Sequence, residues 1–214
     1  MDWLNVLLVI VISYVIGSFP SAYLAGRLNG INIFELGSGN MGTTNTLRTL
    51  GLFWAALVLA VDLGKGVFAV LLCARLTDPA VVSSTSASVI SAIAVVVGHN
   101  WSLFASVLTG TIRGGKGAAT AAGTWLILMP IQILFIPVIV MLITIVRTRY
   151  MSLGVLLSVV TAGLSVGILI LLGQLDTVYL AYYLVGALIV YRFRDNIKRL
   201  LAGNERRIGE SVQI

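Results

Sequence analysis

The chain has 214 residues, of which 58% are hydrophobic and only 10% are charged, against about 25% charged residues in a typical soluble domain. This composition excludes a water-soluble globule. The polar stretches are too short for a separate soluble domain of ordinary size, so we expect residues 1–214 to form a single polytopic membrane domain. The net charge of +6 is expected to mark a cytoplasmic face and not a nucleic-acid-binding surface.

Metal and thiol chemistry are disfavoured by the same composition. The chain has one cysteine, Cys73, which permits neither an intramolecular disulfide nor a thiolate metal cluster. The first apolar run, from Trp3, has no basic region before it and is longer than the apolar part of a cleavable signal peptide. We therefore expect it to stay in the protein as a first transmembrane helix.

The apolar run at 116–147 decides the predicted topology. Its length suits either one long tilted helix or two short ones, and two prolines offer places to break it. Basic residues collect on the cytoplasmic side of a membrane. Two crossings place all of the 14 basic residues except Lys65 and Arg75 on one side, whereas one crossing divides them.

We therefore predict an all-α integral membrane protein with about seven transmembrane helices, its N-terminus outside and its C-terminal tail in the cytoplasm. The fourth helix is short for a full crossing and needs a thinned membrane or shielding by its neighbours. The predicted helices are 3–27, 51–75, 81–103, 116–128, 131–147, 153–173 and 176–193.

The least membrane-like segment is 35–48, with the sequence ELGSGNMGTTNTLR. Its glycines permit positive φ angles and let backbone N–H groups approach an anion closely, while serine, asparagine and threonine add short donors. Arg48 supplies a forked cation suited to phosphate. The segment predicts a phosphate-binding loop, although it does not match the nucleotide-binding pattern. The alternative is a flexible polar connector.

A second segment of this kind is 113–120, with the sequence RGGKGAAT. Two cations and three glycines lead directly into an apolar helix, whose N-terminus also stabilises negative charge. We expect a second phosphate site here. The alternative is a basic loop that touches anionic lipid headgroups.

Asp62, Lys65 and His99 are further candidate site residues in or beside apolar runs. Asp62 and Lys65 are three residues apart and share one face of the predicted second helix, where ionised groups are costly unless they pair or face a polar cavity. A structural pair and a place in the active site are both open. His99 lies at the end of the third helix, where a histidine is more often a hydrogen-bonded end residue than a catalytic base.

Two further polar edges follow, at Arg147, Arg149 and Ser152 and at 192–199. Either could be a simple anchor on the positive side of the membrane. Taken together, four basic segments at the ends of different helices suit a small polyanion that is reached from the cytoplasm. The chain has no nucleophile elbow, zinc-protease motif or Ser-His-Asp signature.

These segments resemble, in order along nearly the whole chain, the bacterial acyl-phosphate:glycerol-3-phosphate acyltransferase family (PlsY). The resemblance implies an integral protein of seven helices with its site on the cytoplasmic side of the cell inner (plasma) membrane. The motifs that carry it are GSFPSAY at 17–23, GSGNMG at 37–42 with Asn45 and Arg48, DLGKG at 62–66, GHNW at 98–101, RGGKG at 113–117, and RDNIKRL at 194–200 with Glu205.

The resemblance also implies a reaction in phospholipid biosynthesis. An acyl group moves from a fatty acyl phosphate to the 1-hydroxyl of glycerol 3-phosphate, and lysophosphatidic acid and phosphate are formed. The donor is already an activated mixed anhydride, so no metal, nucleotide or coenzyme A is required. The expected partners are the two substrates and membrane lipid, with no nucleic acid.

The resemblance implies active-site positions at Ser38, Arg48, Lys116 and Asn196. We expect Arg48 and Lys116 to hold phosphates and to stabilise the charge that develops during transfer. Ser38 is expected to donate to phosphate or to orient the glycerol hydroxyl, but not to act as a nucleophile, because no base is evident for it. Asn196 is expected to fix a polar substrate group. The other substrate-binding candidates are Gly37, Gly39, Asn40, Asn45, Asp62, Lys65, His99, Arg113, Gly114, Gly115, Ser152 and Arg194.

Two features depart from the family pattern. Phe193 stands where the family usually has a histidine, and phenylalanine can neither donate a hydrogen bond nor exchange a proton. The segment between His99 and Lys116 is also longer than usual, with 106–111 as the extra part. These departures keep open a catalytically weakened relative that only binds lipid phosphate. A small organophosphate transporter is the third hypothesis, but it needs access from both membrane faces.

Overall fold

A computed structural model describes residues 3–80 and 82–209. All regular structure in these residues is helical and no strand occurs among them, which confirms the all-α prediction. The α-helices are α1 (Trp3–Gly17), α2 (Ser21–Leu28), α3 (Thr43–Leu50), α4 (Leu52–Leu76), α5 (Ser84–Asn100), α6 (Leu103–Thr109), α7 (Ala118–Leu128), α8 (Ile131–Leu134), α9 (Ile136–Thr148), α10 (Met151–Leu171), α11 (Tyr183–Arg192) and α12 (Arg194–Leu201), and a 3₁₀ helix (Thr177–Tyr182) precedes α11.

Among the described residues, five helical stretches are long and apolar enough to cross a membrane. They are Trp3–Leu28, Leu52–Leu76, Ser84–Thr109, Ile131–Thr148 and Met151–Leu171. The remaining two predicted spans coincide with apolar helices that are shorter, Ala118–Leu128 and Thr177–Arg192. The count of seven crossings and the sides of the two termini therefore stay predictions.

Two of the predicted spans are interrupted helices. The first breaks between α1 and α2 at Pro20, whose ring removes a backbone donor. The third predicted span begins at Val81, which lies outside the described residues, and its first helix, α5, begins at Ser84. Helix α5 ends at Asn100. The span continues as α6, because Ser102 Oγ accepts the Ala105 N–H and caps a new helix.

Two short polar helices, α3 and α12, fall in segments predicted as a loop and a tail. Each has only eight residues and no apolar run to mark it. The fourth predicted helix also starts later than expected, at Ala118. Gly117 adopts a φ of 79°, outside the helical range, so Lys116 belongs to the loop before α7.

The described chain divides into two compact units, one within residues 3–127 and one over residues 128–209. In the first unit, α1 packs on α5 through a reciprocal pair of glycines. A Cβ atom on Gly17 would overlap the Val95 carbonyl oxygen, and one on Gly98 would overlap that of Tyr14. Such small residues let helix backbones approach closely in a membrane.

The contact between α4 and α7 repeats this arrangement. A Cβ atom on Gly66 would overlap the Thr120 carbonyl oxygen, and one on Gly123 would overlap that of Leu63. The second unit consists of α9 packed on α10, followed by the 3₁₀ helix, α11 and α12 against α10. The prediction of one polytopic domain is not tested by these contacts and stays a prediction.

Candidate active site

The first predicted phosphate loop is organised by Asn45, a buried residue of α3. Its Oδ1 accepts the Ser38 N–H at 2.8 Å, and its Nδ2 donates to the carbonyl oxygens of Ile33 and Leu36, both at 3.1 Å. A Cβ atom on Gly37 would overlap the same Oδ1. Asn45 thus holds the loop in shape, and Ser38 lies exposed on it.

The loop leads into the N-terminus of α3. Gly37 and Gly39 have φ angles of 61° and 62°, which glycine adopts without strain. Thr43, the first residue of α3, has a buried Oγ1 with no hydrogen-bond partner among the described residues. Arg48 lies half-buried in the last turn of the same helix. Asn40, also half-buried, precedes α3 in the loop.

The second predicted loop folds back onto the C-terminal end of α5. The Gly115 N–H donates to the His99 carbonyl oxygen, and the Ser102 N–H donates to that of Arg113, both at 2.9 Å. A Cβ atom on Gly114 would overlap the Asn100 carbonyl oxygen. The glycines are therefore required because the loop backbone lies directly against the helix end.

The two loops meet through an aromatic residue. The Arg113 guanidinium lies over the Phe34 ring, 5.0 Å from its centroid, and Phe34 directly precedes the first loop. Phe34 in turn stacks on Tyr23 with the ring centroids 5.9 Å apart. The structure thus places the two glycine-rich, basic segments side by side in the first unit.

Unpartnered polar atoms surround the N-terminus of α7. Asn100 is fully buried and neither atom of its amide has a hydrogen-bond partner among the described residues. The same is true of Thr120 Oγ1. A Cβ atom on Gly117 would lie 2.8 Å from Asn100 Oδ1, so this amide borders the loop that carries Lys116. Buried groups of this kind ordinarily find a partner, and a polar ligand would supply one.

Asp62, Lys65 and His99 form one buried cluster with Ser21. Lys65 Nζ lies 2.9 Å from Asp62 Oδ1 and 2.6 Å from His99 Nδ1. Ser21 Oγ donates to Asp62 Oδ1 at 2.7 Å. Asp62 and Lys65 were expected either to pair or to face a polar cavity, and the structure has the pair. No group of three or more His, Cys, Asp or Glu side chains able to hold a metal occurs in the described part of the chain.

An apolar groove of about 520 Å³ opens beside this cluster. It is lined by Val15 and Phe19, by Gly64, Lys65 and Phe68 of α4, and by Phe104 of α6. Lys65 is the one residue that belongs both to the groove and to the buried cluster. The groove therefore adjoins, through Lys65 and His99, the loop that carries Lys116.

Asn196 lies in the second unit, on α12, and is held by a glutamate. Its Nδ2 donates to Glu205 Oε1 at 2.8 Å, and Arg199 Nε donates to Glu205 Oε2 at the same distance. Both Asn196 and Glu205 are buried. The segment after α12 thus fixes the orientation of the Asn196 amide.

Ser152 and Arg194 have contrasting surroundings in that unit. Ser152 is buried in the first turn of α10, and its Oγ has no hydrogen-bond partner among the described residues. Arg194 is exposed and lies over the Tyr191 ring, 4.7 Å from the centroid. Arg149 directly follows α9 and donates to the Ile208 carbonyl oxygen, which ties residues after α12 to the segment between α9 and α10.

Both departures from the family pattern have a defined place. Phe193 is buried between α11 and α12. The extra segment 106–111 completes α6 and turns back at Gly110, and Ser106 Oγ accepts the Arg113 N–H at 3.0 Å. The longer segment therefore still delivers Arg113 and Gly115 to the end of α5.

The sequence did not single out Ser21, Asn100 or Thr120 as site residues. Ser21 and Asn100 lie within the motifs quoted above, and Thr120 ends the predicted segment 113–120, but a short polar side chain in an apolar helix is equally consistent with helix packing. Asn100 and Thr120 stand out only because they are buried without hydrogen-bond partners among the described residues.

These features define an all-helical membrane protein with two adjoining glycine-rich, basic loops. The chain belongs to the glycerol-3-phosphate acyltransferase family, because the model of that family matches residues 7–203. The resemblance found in the motifs is thereby confirmed.

Relatives are similar to this chain over almost its whole length. Glycerol-3-phosphate acyltransferase 2 of Moorella thermoacetica is 42% identical over 205 residues, 95% of this chain and 98% of the relative. Glycerol-3-phosphate acyltransferase of Clostridioides difficile is 37% identical over 218 residues, the full length of both chains. A crystal structure of PlsY (YgiH), an integral membrane glycerol 3-phosphate acyltransferase, in the glycerol 3-phosphate form is 31% identical, with a TM-score of 0.81 over 95% of this chain and 96% of the other. A second structure of PlsY, in the lysophosphatidic acid form, has a TM-score of 0.79.

Proposed function

We propose that this protein transfers the acyl group of a fatty acyl phosphate to the 1-hydroxyl of glycerol 3-phosphate, forming lysophosphatidic acid and phosphate. The observation that carries the proposal is the contact of Arg113 with Phe34, which joins two donor-rich loops. A reaction between two phosphate-bearing substrates needs two such sites. The glycerol 3-phosphate and lysophosphatidic acid forms of the solved relative support the acceptor and the product.

In the proposed reaction, the glycerol oxygen forms a bond to the acyl carbonyl carbon, and the bond from that carbon to the phosphate oxygen breaks. The hydroxyl proton passes to a phosphate oxygen of a bound substrate. Arg48 and Lys116 stabilise the negative charge on the carbonyl oxygen and on the departing phosphate. Ser38, exposed on the first loop, donates to phosphate or orients the hydroxyl.

Other candidates support the binding of polar groups. Thr43 Oγ1, the Asn100 amide and Thr120 Oγ1 are buried beside the two loops and have no partner in the part of the chain that the structure describes. We assign them to substrate oxygens. The assignments of Asn196, Ser152 and Arg194 rest on the family resemblance. Glu205 supports the first of these, because it holds the Asn196 amide in one orientation.

We assign the apolar groove to the acyl chain of the donor. Its walls are aromatic and aliphatic, and its Lys65 end adjoins the loop with Lys116. A Cβ atom on Gly64 meets nothing within 4 Å, so larger side chains at this position extend into the groove without displacing the helix. We further propose seven membrane crossings in the inner membrane, with the site on the cytoplasmic side of one polytopic domain.

Gly64→Phe is expected to change the preference for acyl-chain length. Because the phenyl ring fills part of the groove, kcat/KM should fall for palmitoyl phosphate and change little for a short-chain acyl phosphate. Initial rates with donors of graded length measure this, and Leu59→Phe on the same helix is the control. A uniform loss across all donors would contradict the assignment of the groove.

Phosphate release by the purified protein in lipid, with palmitoyl phosphate as donor, tests the proposed function. We expect release that depends on glycerol 3-phosphate and parallels the appearance of lysophosphatidic acid.

The buried Phe193 favours a second candidate, a relative that binds both substrates without turnover. In that case wild type would release no phosphate, and Phe193→His would restore release.

A further inference from the structure

The buried cluster of Asp62, Lys65 and His99 contains a full set of hydrogen bonds around one ammonium group. Lys65 Nζ contacts Asp62 Oδ1 at 2.9 Å, His99 Nδ1 at 2.6 Å and the Phe19 carbonyl oxygen at 3.4 Å. An ammonium has three donors and no acceptor. These three contacts therefore use all of its N–H groups.

The ion pair between Lys65 and Asp62 decides the state of the imidazole. A charged Lys65 Nζ can only donate, so His99 Nδ1, 2.6 Å away, accepts, and the proton of the neutral ring then resides on Nε2. The other ring nitrogen faces the second loop, since a Cβ atom on Gly115 would overlap His99 Nε2. The imidazole thus presents an N–H group to the glycine segment that precedes Lys116.

A purely structural role accounts poorly for this cluster. Its side chains are almost fully buried, at 1% exposure for Asp62 and 5% for Lys65. A buried ion pair often stabilises a fold no more than apolar side chains of the same size. In addition, Asp62 Oδ2 has no hydrogen-bond partner among the described residues, which is a further cost.

We infer that Asp62 and Lys65 are positioning residues that lock the tautomer of His99, and that His99 in turn fixes the segment 113–117 so that Lys116 meets the substrate. The inference rests on the proposed function for its last step. Asp62 and Lys65 act through His99 and do not contact the reacting atoms; Lys65 meets the substrate only where it lines the groove assigned to the acyl chain. The backbone bond from Gly115 N–H to the His99 carbonyl oxygen holds the loop at the same point.

The tautomer is open to direct measurement because His99 is the one histidine of the chain. With histidine labelled with ¹⁵N and the protein in lipid, we expect one bare ring nitrogen, Nδ1, and one N–H nitrogen, Nε2. In the double variant Asp62→Asn with Lys65→Met, which removes both charges together, this pattern should change. An imidazolium or a proton on Nδ1 in wild type would overturn the inference, whatever the enzyme assay gives.

Two substitutions of His99 distinguish the contributions of its two ring nitrogens. In His99→Gln the amide reaches the place of Nε2 and keeps a donor toward the loop, whereas in His99→Asn it reaches only the place of Nδ1. A small displacement of a catalytic group costs up to about 10²-fold. We expect kcat/KM to fall about 10²-fold in His99→Asn but less than about tenfold in His99→Gln.

Equal losses in the two variants, or no loss in either, would overturn the positioning role. Folding is checked separately by the reactivity of the buried Cys73 thiol toward a maleimide. If wild type releases no phosphate at all, the proposed function fails, while the ¹⁵N spectrum still decides the state of the cluster.

Discussion

Lys116→Ala is expected to lower glycerol 3-phosphate-dependent phosphate release by about 10²- to 10³-fold, the usual effect of removing a donor that stabilises charge in a transition state. Lys116 lies in the loop that packs on the end of α5. This loop borders the buried Asn100 amide, which has no hydrogen-bond partner within the described residues. Alanine at this position does not alter the glycines that shape the loop. The loss should therefore appear in kcat/KM and leave the folded state intact.

Arg48→Ala should produce a loss of similar size, because Arg48 supplies the cation of the other loop. Arg75→Ala is the matched control: it removes an exposed cation from the last turn of α4, away from both loops. Steady-state rates for the three variants in the same lipid, with thermal unfolding measured alongside, provide the comparison. Near-normal kcat/KM in both Arg48→Ala and Lys116→Ala would refute these assignments.

The sequence anticipated the helices that apolar runs mark and missed those that depend on tertiary context. The span predicted at 51–75 corresponds to α4 within a residue at each end, since a long apolar run admits few alternatives in a bilayer. The polar helix α3 was missed. Its Asn45 stabilises the preceding loop by bonds to Ile33 and Leu36, and such contacts leave no periodic apolar pattern.

For the site, residue type predicted the chemistry but not the geometry. Three-residue spacing was enough to place Asp62 and Lys65 on one helical face, where a pair was one of the two expected arrangements. The participation of His99, on another helix, could not be read from spacing, because it depends on how α4 and α5 pack. The stacking of Arg113 on Phe34 is likewise a long-range contact that no local pattern encodes.

The close contact between α1 and α5 leads to the second large effect, a loss of stability in Gly98→Ala. A methyl group at this position would overlap the Tyr14 carbonyl oxygen, and a backbone atom cannot move aside as a flexible side chain can. The two helices have to separate, and overpacking of this kind costs about 1–3 kcal/mol or more. Activity should fall as well, since His99 and the second loop depend on the end of α5.

Cys73 provides the measurement. It is the one cysteine of the chain and is fully buried on α4. Its Sγ lies 3.3 Å from Ser13 Oγ of α1. A fluorescent maleimide should therefore react with Cys73 only when the protein unfolds. We expect Gly98→Ala to react at a clearly lower temperature than wild type. Gly64→Ala is the matched control, because its methyl group meets nothing within 4 Å and alanine favours a helix over glycine by about 1 kcal/mol. Both substitutions replace glycine with alanine, so only the backbone contact at Gly98 can shift the two reaction temperatures in opposite directions. Equal shifts of the reaction temperature would rule out the tight crossing of α1 and α5.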